Sequence, residues 1–470
     1  MIMNKLTDKL LALIFAVLYL LYALLSWILL LRDNRALKAI ISFYPQLNSK
    51  LFSLQLFFLH HGLNTVITLI FTLVACLLIF LYIKSLTIKI SLKESIIAAL
   101  FFQFIVFFSY PVLSTDIFSY MLSDRVVTKY HQNIWQVKPI NFPNDKFYHL
   151  ADWQNTTSVY GGVNQFFYHF ASYISGDNLI KALVTYKILP WIFVLLSLYL
   201  TFLLAKRFFK GYEGNVIALV FWNPLFIIEF LGSSHNDILF IFFMLASYLF
   251  ALKNKYFLSG ILLALSFQVK IIPIFLLITF SIYLLKDRKY KQLVYYLSAF
   301  LGINVIIFFY MQVSPIAYFI RVLFNNSVYW QSLTYLLSYF HFPYLFLLSL
   351  MLVLFFILSL YWEIKRGWSA LFTFSFFLLF YLLFFISAYW NWYVLWVLPF
   401  VVFSKSEKLT KLVLMFTYTS LLAYPLLWAS LRLDYKLFIW PIFTYFFIFL
   451  LPLIYIRYFS HRSNLLIFKK

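Results

Sequence analysis

Charged residues are scarce in this chain, and acidic residues are the scarcest of them. Charged residues make up 11% of the sequence, with 15 Asp and Glu among 470 residues, whereas hydrophobic residues make up 64%. A soluble domain is about half apolar and about a quarter charged. The composition therefore excludes a soluble globular protein and predicts a chain that crosses a membrane several times.

Cysteine and the common metal and nucleotide motifs are also missing. Cys76 is the only cysteine, so no disulfide can form within the chain. The sequence has no H-E-x-x-H, Cys/His cluster, EF-hand loop, Walker A motif or G-x-G-x-x-G. We therefore predict no tightly bound metal and no cofactor, and leave open a loosely bound divalent cation. The missing Walker A motif argues against ATP-driven transport.

Positive charge is present in excess. The 37 Lys and Arg residues exceed the acidic residues enough to give a formal net charge of +22. In a soluble protein this excess would suggest nucleic acid, but in a membrane protein it is typical of cytoplasmic loops. We predict membrane lipids, and no nucleic acid, among the partners.

Apolar runs near the roughly 20 residues needed to cross a bilayer recur along the chain. Residues 256–285 are one long run containing Lys270 and Pro273, which we interpret as two short helices meeting at Lys270. Residues 393–404 are short, but the positive segment after them favours a crossing. The other runs are residues 10–31, 64–83, 95–113, 188–205, 215–231, 238–252, 292–310, 343–362, 369–388, 412–428 and 438–456. The sequence thus predicts an all-α polytopic protein with about 14 transmembrane helices (range about 12–14).

Most positive charges lie in every second segment between the predicted spans, and this pattern predicts the orientation of the protein in the membrane. If the N-terminus is cytoplasmic, the cytoplasmic segments total 63 residues and hold 23 of the 37 Lys and Arg. These segments are residues 1–9, 84–94, 206–214, 253–255, 286–291, 363–366, 405–411 and 457–470. This bias follows the positive-inside rule. We predict a multi-pass protein of the bacterial plasma membrane with both termini cytoplasmic.

We predict a single integral membrane domain over residues 1–470, in which residues 114–187 form a large extracytoplasmic loop with juxtamembrane helices. Residues 163–187 have aromatic residues at helical spacing and are predicted to be an amphipathic helix in the interface. Nucleotide-activated substrates are cytoplasmic. A reaction on the outer face therefore needs a substrate that arrives with the membrane, such as a lipid-linked one.

Four of the fifteen acidic residues lie in residues 114–162, namely Asp116, Asp124, Asp145 and Asp152. Ionisable groups beside a membrane span are costly, so they often mark function. A plainer interpretation of Ser114-Thr115-Asp116 is a helix N-cap, because all three residue types are good caps.

The order of residues in this loop resembles a known family pattern. In chain order the matching residues are Asp116, Ile117, Tyr120, Arg125, Asn133, Ile134, Trp135, Pro139, Trp153, Tyr160, Gly161 and Gly162. The pattern resembles the first luminal loop of GT-C glycosyltransferases that use polyprenyl-phosphate sugars. It is closest to the mycobacterial-type α-1,6-mannosyltransferases and the catalytic subunit of GPI mannosyltransferase I. Trp135 and Gly162 stand where proline is common in the family, so the match is to a divergent member.

Three later segments add to the resemblance. They are Trp222-Asn-Pro with Glu229 and Gly-Ser-Ser-His235-Asn236-Asp237, then Gly260, Ala264, Gln268, Lys270 and Pro273, and finally Tyr389-Trp390-Asn-Trp392-Tyr393 with Trp396 and Pro399. They also fit a polar turn, a snorkelling lysine and an interfacial aromatic belt. Glu229 is harder to explain in this way because it falls within the last turn of an apolar helix. As an ordered set over residues 95–400, the matches are specific.

The resemblance implies a GT-C-like bundle and an inverting hexosyl transfer, with mannose as the family's usual sugar. It implies a polyprenyl-phosphate sugar as donor and a glycolipid or glycan as acceptor. Asp116 would be the general base, ionised at neutral pH, while Asp145 and Asp152 are interpreted as ordinary loop residues. The predicted donor-phosphate ligands are Arg125, His235, Lys270 and Arg321. The predicted substrate-binding residues are Tyr120, Asp124, Tyr160, Glu229, Asn236, Asp237, Trp390, Trp392 and Tyr393.

Two other function classes stay open at this point. A transporter or flippase of lipid-linked sugars would also be a many-span bundle, but it would place acidic residues at mid-depth, often at repeat-related positions. Here most acidic residues on the predicted outer side fall in loops, and no repeat is apparent. An oligosaccharide polymerase or ligase would use the same outer face, so only substrates separate it from a hexosyltransferase.

Overall fold

The computed structural model describes residues 2–32, 34–60, 63–316, 318, 331–333, 344–366, 369–386, 388–430, 446–458 and 465–468. Regular structure within these ranges is helical, as predicted. The first seven helices are α1 (Ile2–Leu29), α2 (Asn34–Phe43), α3 (Asn48–His60), α4 (Leu63–Ser85), α5 (Leu92–Phe107), α6 (Asp116–Thr128) and α7 (Gly162–Ser175). The next seven are α8 (Leu179–Phe208), α9 (Glu213–Phe221), α10 (Pro224–Ile227), α11 (Asp237–Leu252), α12 (Tyr256–Phe267), α13 (Ile274–Lys286) and α14 (Tyr290–Met311). The last five are α15 (Tyr344–Arg366), α16 (Ala370–Phe384), α17 (Leu398–Val401), α18 (Glu407–Ser430) and α19 (Leu451–Tyr458).

The predicted count of about 14 transmembrane helices is not confirmed. In the described part of the chain, five helices are long and apolar enough to cross a membrane, or up to six if the bent pair α9–α10 counts as one span. Several predicted spans are instead helices of 10–17 residues, among them α11, α12, α13 and α16. Predicted residues 393–404 lie in a short stretch of 3₁₀ and α turns, Asn391–Ser404. The long helices still carry lipid-type surfaces, as with Val17, Leu20 and Leu24 exposed along one side of α1.

Two helix breaks place polar residues inside the apolar bundle. The run 256–285 forms two short helices, α12 and α13, and Lys270 lies between them, as predicted. The run 213–232 is bent by 59° after Phe221, where Asn223 caps the second half by accepting a hydrogen bond from the Phe226 amide. Residues Ile228–Gly232 then form a π turn. In membrane proteins, irregular backbone within the bilayer is tolerated only where it is buried in protein or lines a water-filled cavity.

The prediction of one amphipathic helix over residues 163–187 is wrong at its C-terminal half. Helix α7 ends at Ser175, and Gly176 follows it with φ of +54°. The Asn178 side chain then caps α8 by accepting from the Lys181 amide, so residues 179–187 begin a 30-residue helix. Glycine with positive φ and asparagine at the N-cap are the usual stop and start signals.

Segments that the charge pattern assigns to one side contact each other. The Leu466 amide bonds to the Leu86 carbonyl at 3.4 Å, and the Asn215 side chain donates to the Ile88 carbonyl at 2.6 Å. Lys286 Nζ donates to the Glu363 carbonyl at 3.1 Å. Residues 84–94 therefore lie beside both the C-terminal segment and the start of α9, and residues 286–291 lie beside residues 363–366.

Segments assigned to the other side also meet. Trp27 Nε1 donates to the Phe108 carbonyl at 2.8 Å, and the Gln136 amide donates to the Gln312 carbonyl at 3.2 Å. The residues between α6 and α7 therefore lie with the ends of α1, α5 and α14 on the face opposite the positive segments.

Candidate active site

Asp116 is the first residue of α6. Trp153 Nε1 donates a hydrogen bond to Asp116 Oδ1 at 2.9 Å, and 16% of the Asp116 side chain is exposed. A carboxylate at a helix N-terminus is stabilised by the helix dipole. Burial raises the pKa of Asp116, and the Trp153 hydrogen bond opposes that rise. The expected capping by Thr115 is absent, because its hydroxyl instead donates to Asp152.

His235 lies between two carboxylates. Its Nδ1 is 3.7 Å from Asp116 Oδ2 and its Nε2 is 3.2 Å from Glu229 Oε2. The imidazole is fully buried and stacks on the Trp392 indole, with ring centroids 3.7 Å apart and an interplanar angle of 21°. The stacking fixes the plane of the ring, and each ring nitrogen has a different carboxylate as its acidic neighbour.

Glu229 is contributed by the π turn that follows α10. Its side chain is fully buried, and Oε1 accepts a hydrogen bond from the Tyr424 hydroxyl of α18. A buried carboxylate needs such partners, because desolvation of an unpaired charge is costly. The π turn, a rare geometry often found at functional sites, thus directs an acidic side chain towards the His235 ring.

Asp237 and Lys270 form the second charged pair of the site. Asp237 is the first residue of α11, and its Oδ1 accepts from Lys270 Nζ at 2.6 Å and from Trp396 Nε1 at 2.9 Å. The Lys270 ammonium also lies over the rings of Tyr393 and Trp396, at 4.7 and 4.3 Å. The side chain of Lys270 is 17% exposed. The break between α12 and α13 therefore presents a cation at the site, held by one carboxylate and two aromatic faces.

Tyr120, Tyr160 and Asn236 join α6, the start of α7 and the start of α11. The Tyr120 hydroxyl donates to Asn236 Oδ1 at 3.3 Å and accepts from the Tyr160 hydroxyl at 3.5 Å. Asn236 Nδ2 donates to Asn164 Oδ1 at 3.0 Å. The three predicted residues thus lie together and carry hydroxyl and amide groups that suit sugar hydroxyls.

The Tyr160-Gly161-Gly162 segment packs tightly on the α12–α13 break. A Cβ on Gly161 would lie 2.4 Å from the Gln268 carbonyl oxygen, so this position requires glycine. The Gly162 amide donates to Gln268 Oε1 at 3.1 Å, and Gln268 Nε2 donates to Asn304 at 2.8 Å. The loop and the Lys270 break are therefore held in fixed register.

Aromatic rings line one side of the site. Trp153 meets Trp390 edge-on with centroids 6.1 Å apart, and Trp390 stacks on Trp392 at 5.5 Å and 18°. Trp392 is largely buried, and its Nε1 has no hydrogen-bond partner among the described residues. Aromatic faces of this kind suit the apolar face of a sugar ring.

Arg125, predicted to bind the donor phosphate, has its guanidinium engaged elsewhere. Arg125 Nε donates to both Asp145 oxygens at 2.9 and 2.8 Å, and the other nitrogens donate to the Gly176 carbonyl and to Asp177. Its side chain is 4% exposed. Asp145 is fully buried in this network, so interpreting it as an ordinary loop residue is wrong. We therefore leave Arg125 out of the proposed phosphate site.

Asp124, predicted to bind substrate, lies under α7 and α8 instead of beside Asp116. Its Oδ2 accepts from the Tyr186 hydroxyl at 2.7 Å, and its Oδ1 is 3.8 Å from His169 Nε2. Burial raises the pKa of Asp124 and lowers the pKa of His169 to about 4. The contact therefore involves a neutral imidazole, and it holds α6 against its neighbours. Arg321 lies outside the described residues.

The site therefore brings most of the predicted residues together, from separate parts of the chain. Those that meet are Asp116, Tyr120, Tyr160, Glu229, His235, Asn236, Asp237, Lys270, Trp390, Trp392 and Tyr393. Trp153 and Trp396 stood in the matched patterns without a role, and each now bonds to an aspartate of the site. Tyr424 was not predicted, because nothing in the sequence distinguishes it from the other tyrosines of a chain that has 36. In the described part of the chain, no group of three or more His, Cys, Asp or Glu side chains could hold a metal ion.

Comparison with known proteins places these residues in a family. The family described as "Alpha-(1->6)-mannopyranosyltransferase, N-terminal domain" matches residues 36–286. Alpha-(1->6)-mannopyranosyltransferase A of Corynebacterium glutamicum is 26% identical over 168 residues, which are 35% of this chain and 33% of that protein. The chain therefore matches about a third of the length of this curated relative. No solved structure matches. Because the family match covers more than half of the sequence and includes Asp116, Glu229, His235, Asp237 and Lys270, the chain belongs to the alpha-(1->6)-mannopyranosyltransferase family.

Proposed function

We propose that this chain is a membrane-bound hexosyltransferase that transfers mannose from a polyprenyl-phosphate donor to a lipid or glycan acceptor. Membership of the alpha-(1->6)-mannopyranosyltransferase family supports the sugar and the reaction class. The Corynebacterium glutamicum relative is named for the same sugar and the same reaction class. The position of the site opposite the positive segments supports a reaction on the extracytoplasmic face, where a lipid-linked donor is within reach.

The proposed reaction is a single displacement at the anomeric carbon. An acceptor hydroxyl oxygen bonds to this carbon while the bond from the carbon to the phosphate oxygen breaks. The bonding electrons leave with the polyprenyl phosphate, and the hydroxyl proton passes to Asp116. One displacement inverts the centre, so a β-linked donor gives an α-linked product. The transition state resembles an oxocarbenium ion, as in glycosidases.

The observation that carries the proposal is the setting of Asp116. Its carboxylate is partly exposed, as is the Lys270 side chain of the same cluster, and Asp116 Oδ1 is held by Trp153. A base works best when its pKa lies near the working pH, and burial moves the pKa of Asp116 upward in that direction. General-base assistance of this kind contributes about 10²–10⁴-fold to a rate.

The neighbouring groups suit the two parts of the donor. Lys270 is the proposed cation for the leaving phosphate, since a charged donor strengthens hydrogen bonds to phosphate oxygens. Asp237 holds the lysine in place. Tyr160 and Trp390 are partly exposed, and we propose that the Tyr160 hydroxyl bonds a sugar hydroxyl and that the Trp390 ring contacts the sugar face. Tyr120, Asn236 and Trp392 are buried and are proposed to hold these two side chains in place. Arg321 stays a predicted phosphate ligand.

The experiment uses purified protein, radiolabelled polyprenyl-phosphate mannose and a membrane lipid extract. The wild-type chain is expected to form a new labelled product, from which α-mannosidase releases the labelled mannose. The Asp116→Asn variant should fall by about 10²–10⁴-fold, whereas Asp287→Asn, on the positive face beside Lys289, should retain activity. Near-normal turnover by Asp116→Asn would contradict the base assignment. Movement of the labelled donor across liposomes with no new product would favour a flippase.

A further inference from the structure

The contacts of His235 and Glu229 do not fit the roles expected for them. Both side chains are fully buried, so neither the imidazole nor the carboxylate is open to a phosphate or to a sugar hydroxyl. Both are instead connected to Asp116, which is partly exposed. Successive contacts run from Asp116 to His235, from His235 to Glu229 and from Glu229 to Tyr424.

The two contacts of the His235 ring differ in a way that assigns its tautomer. Nε2 lies 3.2 Å from Glu229 Oε2, which is hydrogen-bonding distance, although the two groups are not aligned. Nδ1 lies 3.7 Å from Asp116 Oδ2, beyond a hydrogen bond. A proton on Nε2 would face Glu229 and would leave the lone pair of Nδ1 facing Asp116. Two acceptors that face each other stay apart, so this tautomer agrees with the longer distance on the Asp116 side.

We infer that His235 is a positioning residue for Asp116: its Nδ1 accepts a hydrogen bond from the Asp116 carboxyl once that carboxyl has taken the acceptor's proton, while Glu229 holds Nε2–H. This inference rests on the proposed function. The proton comes from the acceptor hydroxyl and stays on Asp116 Oδ2, shared with Nδ1, until the product leaves. Closing the gap from 3.7 Å to a normal hydrogen bond needs a shift of less than about 1 Å.

This arrangement stabilises the transition state more than the ground state. The Asp116–His235 hydrogen bond exists only when the proton has begun to move, so its energy lowers the barrier. Catalytic hydrogen bonds are often long or poorly aligned without substrate and tighten in the reacting complex. Trp392, stacked on the imidazole, keeps the ring from turning. Tyr424 in turn fixes Glu229.

The charged and titratable groups of this cluster come from several elements. Asp116 of α6 and Glu229 of the π turn flank His235. Asp237 of α11 and Lys270 of the α12–α13 break act electrostatically on Asp116, and Tyr22 of α1 and Tyr424 of α18 interact with Glu229. A charged imidazolium in this place would lower the pKa of Asp116 by electrostatic attraction. A neutral imidazole that accepts from the protonated carboxyl would raise it. The two possibilities therefore predict opposite changes in the pKa of Asp116 when the ring nitrogens are removed.

The test compares the pH profiles of kcat for the wild-type protein, His235→Phe and Glu229→Gln with labelled polyprenyl-phosphate mannose. Phenylalanine keeps a ring against Trp392 and removes both nitrogens. We expect kcat to fall about 10²-fold with KM for the donor unchanged, and the acid limb to move to lower pH. Glu229→Gln should move the acid limb in the same direction, with a smaller loss of kcat. An acid limb that moves to higher pH, or that stays in place, overturns the inference.

Controls separate this inference from the proposed function. His169→Phe alters another buried histidine near a carboxylate, outside the site, and should leave the limb in place. If His235→Phe does not purify as a folded protein, His235→Leu also removes both ring nitrogens and is expected to show the same loss of kcat and the same shift. If the wild type forms no product, the proposed function fails. If the wild type is active, Asp116→Asn is inactive and His235→Phe behaves as wild type, the inference alone fails.

Discussion

Three carboxylates of the site have different surroundings. Asp116 faces the rim and bonds to a neutral indole N–H, Asp237 is paired with Lys270, and Glu229 is buried against Tyr424. Of the three side chains, only that of Asp116 is appreciably exposed, at 16%, and among the described residues it has no lysine or arginine partner within ion-pair distance. This exposure supports the proposed role of Asp116 as the base.

Replacing Trp153 with phenylalanine should shift the acid limb of the pH–activity profile upward. The Trp153 hydrogen bond lowers the pKa of Asp116, against burial, which raises it. Activity needs the ionised carboxylate, so it is present above this pKa and is lost as the pH falls through it. Without the indole N–H the pKa rises further, and the loss begins at a higher pH. The pH dependence of kcat/KM measures the shift.

Trp191→Phe is the matched control for this prediction. It removes an indole N–H that donates to Gln103 at 3.3 Å within the bundle, away from Asp116. Its acid limb should coincide with that of the wild type. If Trp153→Phe also leaves the limb unmoved, the hydrogen bond to Asp116 has no influence on its ionisation.

Helix α6 links Asp116, the proposed base, to a buried ion pair. Asp116 begins the helix, and Arg125, nine residues later, joins it to Asp145 and Asp177. The Arg125 guanidinium also lies over the Phe147 ring at 4.9 Å. The helix is thus fixed at the end far from Asp116, which makes Arg125 a support for the site.

Arg125→Met should destabilise the protein without changing the donor KM. Removing one partner of a buried ion pair leaves an uncompensated charge, here Asp145, at a cost of about 3–5 kcal/mol. The measurement is thermal unfolding of the purified protein, together with KM for the fraction that stays folded. Lys289→Met is the control, since Lys289 makes a partly exposed pair with Asp287 at 3.0 Å, worth about 0–1 kcal/mol. A large rise in donor KM at unchanged stability would restore Arg125 as a phosphate ligand.

Element boundaries could be predicted where the sequence contains a strong local conflict. A lysine and a proline within an apolar run too long for one span predicted the break at Lys270, and the structure has it. The boundary at Gly176 was missed because aromatic residues continue at helical spacing through it. The local signals were present in Gly176 and Asn178, but periodicity outweighed them in the prediction.

At the scale of the whole molecule, the family pattern identified most residues of the site but not their pairing. Asp237, Lys270 and Trp396 are far apart in sequence and meet only because α11, the α12–α13 break and residues 391–396 converge. The pairing of His235 with Glu229 depends on the π turn, which no composition signal indicates. The burial of individual side chains also could not be predicted. His235 is fully buried, which argues against its predicted role as a phosphate ligand.

The orientation of the whole molecule can be tested with single cysteines. Cys76 is the only native cysteine, so Cys76→Ala gives a background without thiols. Asn144→Cys adds a thiol at an exposed position between α6 and α7, and Lys408→Cys adds one at an exposed position near the start of α18. A membrane-impermeant maleimide is then applied to intact cells and to permeabilised cells.

The positive-inside rule predicts opposite labelling of the two variants. Asn144→Cys should react in intact cells, because the site face is predicted to be extracytoplasmic, and Lys408→Cys should react only after permeabilisation. The contacts among the positive segments place residues 407 and 465 together, so the result for Lys408 extends to the C-terminal segment. The reverse pattern would put Asp116 on the cytoplasmic side. The side of the membrane would then no longer require a lipid-linked donor, because cytoplasmic nucleotide-activated sugars could reach the Asp116 carboxylate.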